Sequence, residues 1–169
     1  HNERMNVYAK SQKSALINKV NANGTLAYSK RFKIGPNNNN VIPTFELLNN
    51  EIYLEGVTFS AEFPVTNQSQ FYSGGTGFIS RLNTNGDVLF SSYLGNMNSL
   101  LPVKAANNKL YLLGNTAFSN YPVTDSSVNA GSTDNILIIL NPDGSRIYSG
   151  YTGGANADVA VGLAISNNE

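Results

Sequence analysis

Side chains that commonly carry catalysis are scarce in this sequence. Its one histidine is His1, and it contains no cysteine. Without a second histidine or any cysteine, neither a Ser-His-Asp site nor a Cys-His site has its general base. A zinc site would have to be built almost wholly from carboxylates, which is unusual. We therefore predict no catalytic residues, no bound metal and no cofactor.

Carboxylates are the remaining candidates, because two of them about 5–10 Å apart can hydrolyse a glycosidic bond. The acidic residues considered are Glu46, Glu51, Glu55, Glu62, Asp87, Asp125, Asp134, Asp143 and Asp158. Most flank predicted turns, where Asx turns are expected, and their spacing neither repeats nor converges on a catalytic pair. Asp134 and Asp158 could contribute to a calcium site with loop carbonyls, but no Asp-x-Asp-x-Asp-Gly run supports one.

Aromatic side chains are plentiful, with nine tyrosines and eight phenylalanines. Those that recur in predicted strands are expected to pack in the core, whereas loop aromatics could stack on sugar rings. The loop aromatics that do not all recur are Phe59, Phe71, Tyr72 and Phe118. These four are our candidate ligand-binding residues.

Charge and hydropathy narrow the function classes. The 169 residues include eleven basic and eleven acidic side chains, and the charged fraction is 13%, about half the usual share. This balance argues against a nucleic-acid or anionic-membrane partner. The longest aliphatic stretch, residues 136–140, is too short to cross a membrane. If the protein is exported, its signal is expected to lie upstream of His1.

An internal repeat organises the chain. Many matched residues are separated by 58 positions, which indicates a duplicated unit. The matches include Gly56 with Gly114, Phe63–Thr66 with Tyr121–Thr124, Asn83 with Asn141, Gly86 with Gly144, Tyr93 with Tyr151 and Gly95 with Gly153. Asn21 and Gly24 match Asn83 and Gly86 at a spacing of 62, so an earlier, divergent copy precedes the two complete ones. The polar run at 36–40 accounts for the four extra residues.

Each complete unit predicts four short antiparallel strands. Asparagine tolerates left-handed backbone angles, so Asn49-Asn50 and Asn107-Asn108 suit two-residue turns between strands one and two. Strand three, residues 77–83 or 135–141, is apolar at adjacent positions that point to opposite faces. We therefore expect strand three to be the most buried, with both faces of its sheet covered. Stacked four-stranded sheets at this period indicate β-propeller blades. A β-sandwich is the alternative, but it gives no reason for a 58-residue period.

Several short motifs, in order, resemble a known family. The run Asp134–Gly144, then Ile147–Gly154, resembles the bacterial seven-bladed β-propeller repeat (SBBP) family, as do Gly77–Asn83 with Ser91–Gly95. The two Pro-Val-Thr loops, 64–66 and 122–124, occupy the matching place. The resemblance implies an extracellular repeat domain, often part of a much larger bacterial surface or secreted protein, with no assigned catalytic residues.

These observations predict an all-β chain of about three blades. We expect residues 1–41 to form a divergent partial blade, 42–99 and 100–158 to form complete blades, and 159–169 to begin the next. The whole chain is then a segment of a larger propeller, completed by another protein chain or by the rest of its own polypeptide.

The expected function follows from this architecture. We expect a non-catalytic segment of an exported or cell-surface bacterial protein that acts in binding, adhesion or scaffolding. The alternatives are a glycan-binding module and a non-catalytic-looking part of a polysaccharide-active enzyme. A glycan is a candidate ligand, and neither nucleic-acid binding nor membrane insertion is expected.

Overall fold

The protein is all-β in the part described by the computed structural model, residues 4–11, 14–34, 44–60, 63–66 and 75–166. These residues form twelve antiparallel strands and no helix. The strands are β1 (Arg4–Ser11), β2 (Ser14–Val20), β3 (Leu26–Lys33), β4 (Thr44–Leu48), β5 (Glu51–Val57), β6 (Gly77–Leu82), β7 (Val88–Gly95), β8 (Ser99–Leu100), β9 (Lys104–Ala106), β10 (Lys109–Thr116), β11 (Asp134–Leu140) and β12 (Arg146–Thr152).

Three sheets follow one another along the chain. The first sheet has the order β1-β2-β3, and the middle sheet has the order β4-β5-β6-β7. The third sheet has the order β12-β11-β10, with both β8 and β9 pairing along β10. Neighbouring strands in the first two sheets are consecutive in sequence, as the predicted hairpins require.

The predicted turns are confirmed. Asn49, Asn50, Asn107 and Asn108 all have positive φ between 50° and 62°, the left-handed region that asparagine tolerates better than most residues. The hairpins that close β2-β3, β6-β7 and β11-β12 each end with a glycine at positive φ. The same local chemistry thus recurs at the same place in each repeat.

The first strand of the third sheet is broken in two. β8 pairs with β10 near Gly114, and β9 pairs with β10 near Leu110. Between them lies Pro102, which has no backbone N–H to donate to the ladder. The four-stranded unit predicted for this repeat therefore has five strands by count.

The C-terminal segment differs from the prediction. Residues 153–166 form no strand, so the start of a next blade expected over 159–169 is not formed by residues 159–166. Val159 and Val161 are 62% and 94% exposed. Among the described residues their backbone joins no sheet, and a strand without a partner leaves its hydrogen-bonding groups to water.

The middle sheet is packed between the other two. One hydrophobic cluster joins Ile17 and Phe32 of the first sheet to Phe78 of the middle sheet. A second cluster joins Ile79, on the opposite face of the middle sheet, to Ile138 of the third. The prediction of two-sided burial is confirmed for β6, where Phe78 and Ile79 are 0% and 1% exposed.

Strand β11 is buried on one side only. Ile136, Ile138 and Leu140 are fully buried against the middle sheet. Leu137 and Ile139, which point the other way, are half-buried. The predicted two-sided burial is therefore incomplete here, because no sheet covers the far side of the third sheet among the described residues.

Threonine hydroxyls join each sheet to the one before it. Thr58 follows β5 and donates a hydrogen bond to the carbonyl of Ile34, just after β3 (2.9 Å). Thr116 follows β10 and donates to the carbonyl of Asn96, just after β7 (2.7 Å). Equivalent residues thus make the same contact at both interfaces, so each sheet is placed in the same way on the sheet before it.

A glycine in each later hairpin lies against an aromatic ring of the preceding sheet. A Cβ at Gly86 would lie 3.0 Å from the ring of Tyr28, and one at Gly144 would lie 2.7 Å from the ring of Phe90. Gly24, the equivalent residue of the first sheet, has nothing within 4 Å of its Cβ position. Glycine is thus required at the later turns by packing as well as by backbone angle.

We predict that Gly144→Ala destabilises the protein more than Gly24→Ala. Both glycines have a φ of 85°, so each substitution incurs a backbone cost of about 1 kcal/mol. Gly144→Ala must also displace the Phe90 ring, at a further cost of about 1–3 kcal/mol. Urea unfolding of the two variants measures the difference.

The control is the same pair of substitutions in a Phe90→Ala background. There the extra cost of Gly144→Ala should disappear, because no ring opposes the new methyl group. Equal losses for the two glycine variants in the parent protein would contradict the proposed packing between sheets.

Candidate functional site

The far side of the third sheet carries a continuous set of apolar side chains. Paired residues on adjacent antiparallel strands share a face, and Tyr111 pairs with Ile139, which pairs with Tyr148. Leu113 pairs with Leu137 in the next row. We call these five side chains the outer face. All five are half-buried and uncharged, and exposed Lys104, which pairs with Tyr111 on β9, borders them on the same face.

The outer face repeats five positions of the middle sheet, of which three are buried and two are half-buried. The residues 58 positions earlier are Tyr53, Glu55, Ile79, Arg81 and Phe90. Tyr53 and Ile79 belong to the cluster shared with the third sheet, and Phe90 packs against it. The Tyr53 hydroxyl also donates to the carbonyl of Pro142 in the third sheet (2.9 Å). The same positions thus form a sheet-to-sheet interface in one repeat and an open surface in the next.

One edge of the outer face is held by the loop before β11. The Tyr148 hydroxyl donates to Asp125 Oδ2 (2.6 Å), which raises the pKa of Tyr148. Asp125 Oδ1 accepts from the backbone N–H of Ser127 (2.9 Å), an Asx turn as predicted. The hydroxyls of Ser127 and Tyr148 lower the pKa of Asp125. This carboxylate therefore has a structural role.

Two of the four candidate aromatics lie on the described surface. Phe59 and Phe118 are 49% and 45% exposed, just beyond β5 and β10 respectively. The carbonyl of Phe118 accepts a hydrogen bond from the Tyr151 hydroxyl, which fixes the backbone there. Phe71 and Tyr72 lie outside the described residues.

Several other carboxylates take part in ion pairs or turns. Glu51 accepts two hydrogen bonds from the Arg81 guanidinium, at 2.6 and 2.8 Å. Asp87 is paired with Lys30 of the first sheet. Asp143 accepts from the backbone N–H of Ser145 in its hairpin (2.8 Å). These contacts support structural roles in ion pairs and turns.

Glu55 is a buried carboxyl that our sequence analysis did not single out. It is 1% exposed, on the side of the middle sheet that faces the third. Burial raises its pKa to about 7, although a hydrogen bond from the Thr44 hydroxyl opposes that shift. The repeat contained the signal, because Leu113 stands at the equivalent position. A carboxyl where the next repeat has leucine indicates a buried acid.

Comparison with models of known protein families found no match, and comparison with curated protein sequences found none either. Among the residues that the structure describes, no three His, Cys, Asp or Glu side chains are grouped to hold a metal ion. Within the same residues, no helix has the length and apolar character needed to cross a membrane.

We predict that Glu55 makes the protein less stable as pH rises. Its folded pKa of about 7 exceeds its ordinary value of 4.5, so the folded state holds this proton more tightly than the unfolded state. The contribution of Glu55 to the free energy of unfolding is therefore full below about pH 4.5. It falls by about 3 kcal/mol as pH rises through 7. Urea unfolding between pH 4.5 and 8.5 measures the change.

Glu55→Gln is the matched variant, because it keeps the shape and removes the titration. Its stability should vary less over this range, and it should exceed the parent's at pH 8.5. An identical pH dependence in the two proteins would show that Glu55 does not titrate in this way.

Proposed function

We propose that this chain is a run of β-propeller blades, and that it serves as a non-catalytic binding or scaffolding segment of an exported or cell-surface protein. Its outer face binds a further sheet of the same repeat type. The observation that carries the proposal is the repetition, on the outer face, of the positions by which the middle sheet packs against the third.

The direction of stacking supports further sheets. Each later sheet packs one face against the opposite face of the sheet before it, and the Thr58 and Thr116 hydrogen bonds recur at both interfaces. The two end surfaces of the stack therefore differ. At one end, the third sheet presents the half-buried apolar side chains of the outer face. Exposed apolar patches commonly mark interaction surfaces. Propellers contain about four to eight blades, so a ring that includes these three sheets needs further blades.

The partner sheet is expected to be apolar on the side it presents. The middle and third sheets each bury such a face, built around Phe78 in one and Ile136 in the other. The far face of the first sheet differs, because Leu16 and Asn18 lie there beside exposed Arg31. A sheet like the middle or third one therefore suits the outer face better than the first sheet of a second copy does.

The resemblance to the SBBP repeat family supports the same assignment and the extracellular setting.

The non-catalytic assignment is supported by Glu55. Its pKa of about 7 would suit a general acid or base, yet its side chain is 1% exposed between two sheets. A substrate would have to separate those sheets to reach it.

We predict that an added repeat covers the outer face and stabilises the chain. A second copy of residues 99–156, inserted after Asn156, continues the 58-residue period. The new sheet should raise the thermal midpoint by about 10 °C, because burial of several apolar side chains supplies several kcal/mol. Binding of the dye ANS, which reports exposed apolar surface, should stay near the parent's level, because the added sheet covers one outer face and exposes a copy of it.

The control is the same extended chain with Leu137→Lys in the original third sheet. This variant should lose most of the gain in midpoint, because a charge would be buried in the new interface. If the added repeat melts separately from the rest of the chain, or if dye binding doubles because both outer faces are exposed, the proposed role of the outer face is wrong.

The two alternatives are tested by one experiment on polysaccharides. We expect the purified chain neither to be retained on them nor to release reducing ends. Retention that Phe59→Ala or Phe118→Ala abolishes would favour the glycan-binding module. Reducing ends that disappear on substitution of one Asp or Glu would favour the polysaccharide-active enzyme.

A further inference from the structure

A buried carboxylate oxygen at the start of β11 has no hydrogen-bond partner. Asp134 is 0% exposed, and its Oδ2 accepts a hydrogen bond from the backbone N–H of Ala130 (2.6 Å). Its Oδ1 is buried without a partner. Such an oxygen is costly to bury, because it loses its hydrogen bonds to water and gains none in return.

A second carboxylate converges on the same point. A Cβ built at Gly153 would lie 2.8 Å from Asp134 Oδ1 and 2.9 Å from Asp158 Oδ2. The two oxygens are therefore less than about 6 Å apart. Calcium–oxygen distances of about 2.3–2.6 Å place ligand oxygens up to about 5 Å apart across one ion. The pair is close to the separation that one calcium ion spans.

Glycine keeps this space open. Gly153 is not among the residues with positive φ, whereas Gly95, its counterpart in the middle sheet, has a φ of 106°. The backbone angle therefore explains the glycine at 95 and does not explain the one at 153. What requires glycine at 153 is the space between the two carboxylates, which a methyl group would fill.

Asp158 is held in place by the backbone around it. Its N–H donates to the carbonyl of Thr133 (2.8 Å), and its Oδ2 accepts from the N–H of Gly154 (2.7 Å). The segment 153–158 is thus tied to the residues just before β11. The carbonyl oxygens of Gly154 and Asn156 both lie within 3 Å of the Cβ position of Gly131, so the segment that carries Asp158 also brings carbonyl oxygens against the loop before β11.

In the middle sheet, a threonine hydroxyl closes the equivalent junction with hydrogen bonds. Thr76 stands 58 positions before Asp134, and its hydroxyl donates to the carbonyl of Met97 and accepts from the Met97 N–H. Both capacities of that hydroxyl are used within the protein. Replacement of threonine by aspartate removes the donor and leaves Oδ1 without a partner.

We propose that Asp134 Oδ1 and Asp158 Oδ2 bind a divalent cation, and that the ion is Ca²⁺. Both ligands are carboxylate oxygens, which suit Ca²⁺ better than metals that prefer nitrogen or sulfur. With two carboxylates, the remaining ligands are carbonyl oxygens and water. A site of this kind binds in the range of about 10⁻⁴–10⁻³ M, typical of extracellular modules.

Isothermal titration of the metal-free full chain with Ca²⁺ tests the proposal, alongside the thermal midpoint with and without the ion. We expect one ion per chain and a midpoint that rises with Ca²⁺ concentration. Asp158→Asn should weaken binding at least tenfold, and Asp134→Asn should do the same. Asp143→Asn, in the turn at the far end of β11, is the control and should bind as the parent does.

Two further variants separate binding from folding. Gly153→Ala should weaken binding because its methyl group occupies the ion's position. Asp134→Thr, which copies the middle sheet, should fold and show no change of midpoint with Ca²⁺. The proposal is overturned if the parent binds no Ca²⁺ at about 10 mM. It is also overturned if Asp158→Asn and Gly153→Ala bind Ca²⁺ as tightly as the parent.

Discussion

Packing of one sheet face against the next is the interaction on which this structure depends. Adjacent side chains on a strand point to opposite faces, so Phe78 and Ile79 can both be buried only if β6 lies between two sheets. The first and third sheets supply those two surfaces. The middle sheet would otherwise expose one apolar face to water, so its stability is inseparable from that of its neighbours.

Polar contacts determine how the sheets are placed on one another. Apolar packing is non-directional, whereas the hydroxyls of Thr58 and Thr116 each require one carbonyl of the preceding sheet. Gly86 and Gly144 add a steric requirement, because each lies directly against an aromatic ring. Since the same contacts recur at both interfaces, the surface left at the end of the stack can be compared with a buried one, position by position.

Differences between equivalent positions are as informative as the repeat itself. Glu55 replaces the apolar residue that its counterpart Leu113 provides, and it becomes an acid with a pKa of about 7. Asp134 replaces the hydroxyl of Thr76, and it leaves a buried oxygen without a partner. In both cases a carboxylate stands where the other repeat has a side chain that packs or hydrogen-bonds fully within the protein. Such positions are where chemistry beyond packing is to be sought in a repeat protein.

The sequence by itself determined the period, the antiparallel strands and the asparagine and glycine turns, because these follow from local backbone preferences and from alternation along a strand. It also placed Phe59 and Phe118 in exposed loops. The tertiary structure alone decided that β11 is covered on one side, that residues 159–166 lack a strand partner and that Glu55 is buried. The sequence had suggested Asp134 and Asp158 as contributors to one calcium site, and the tertiary structure placed Gly153 beside both. Each of these depends on residues distant in sequence, and local preferences carry no information about which distant groups will meet.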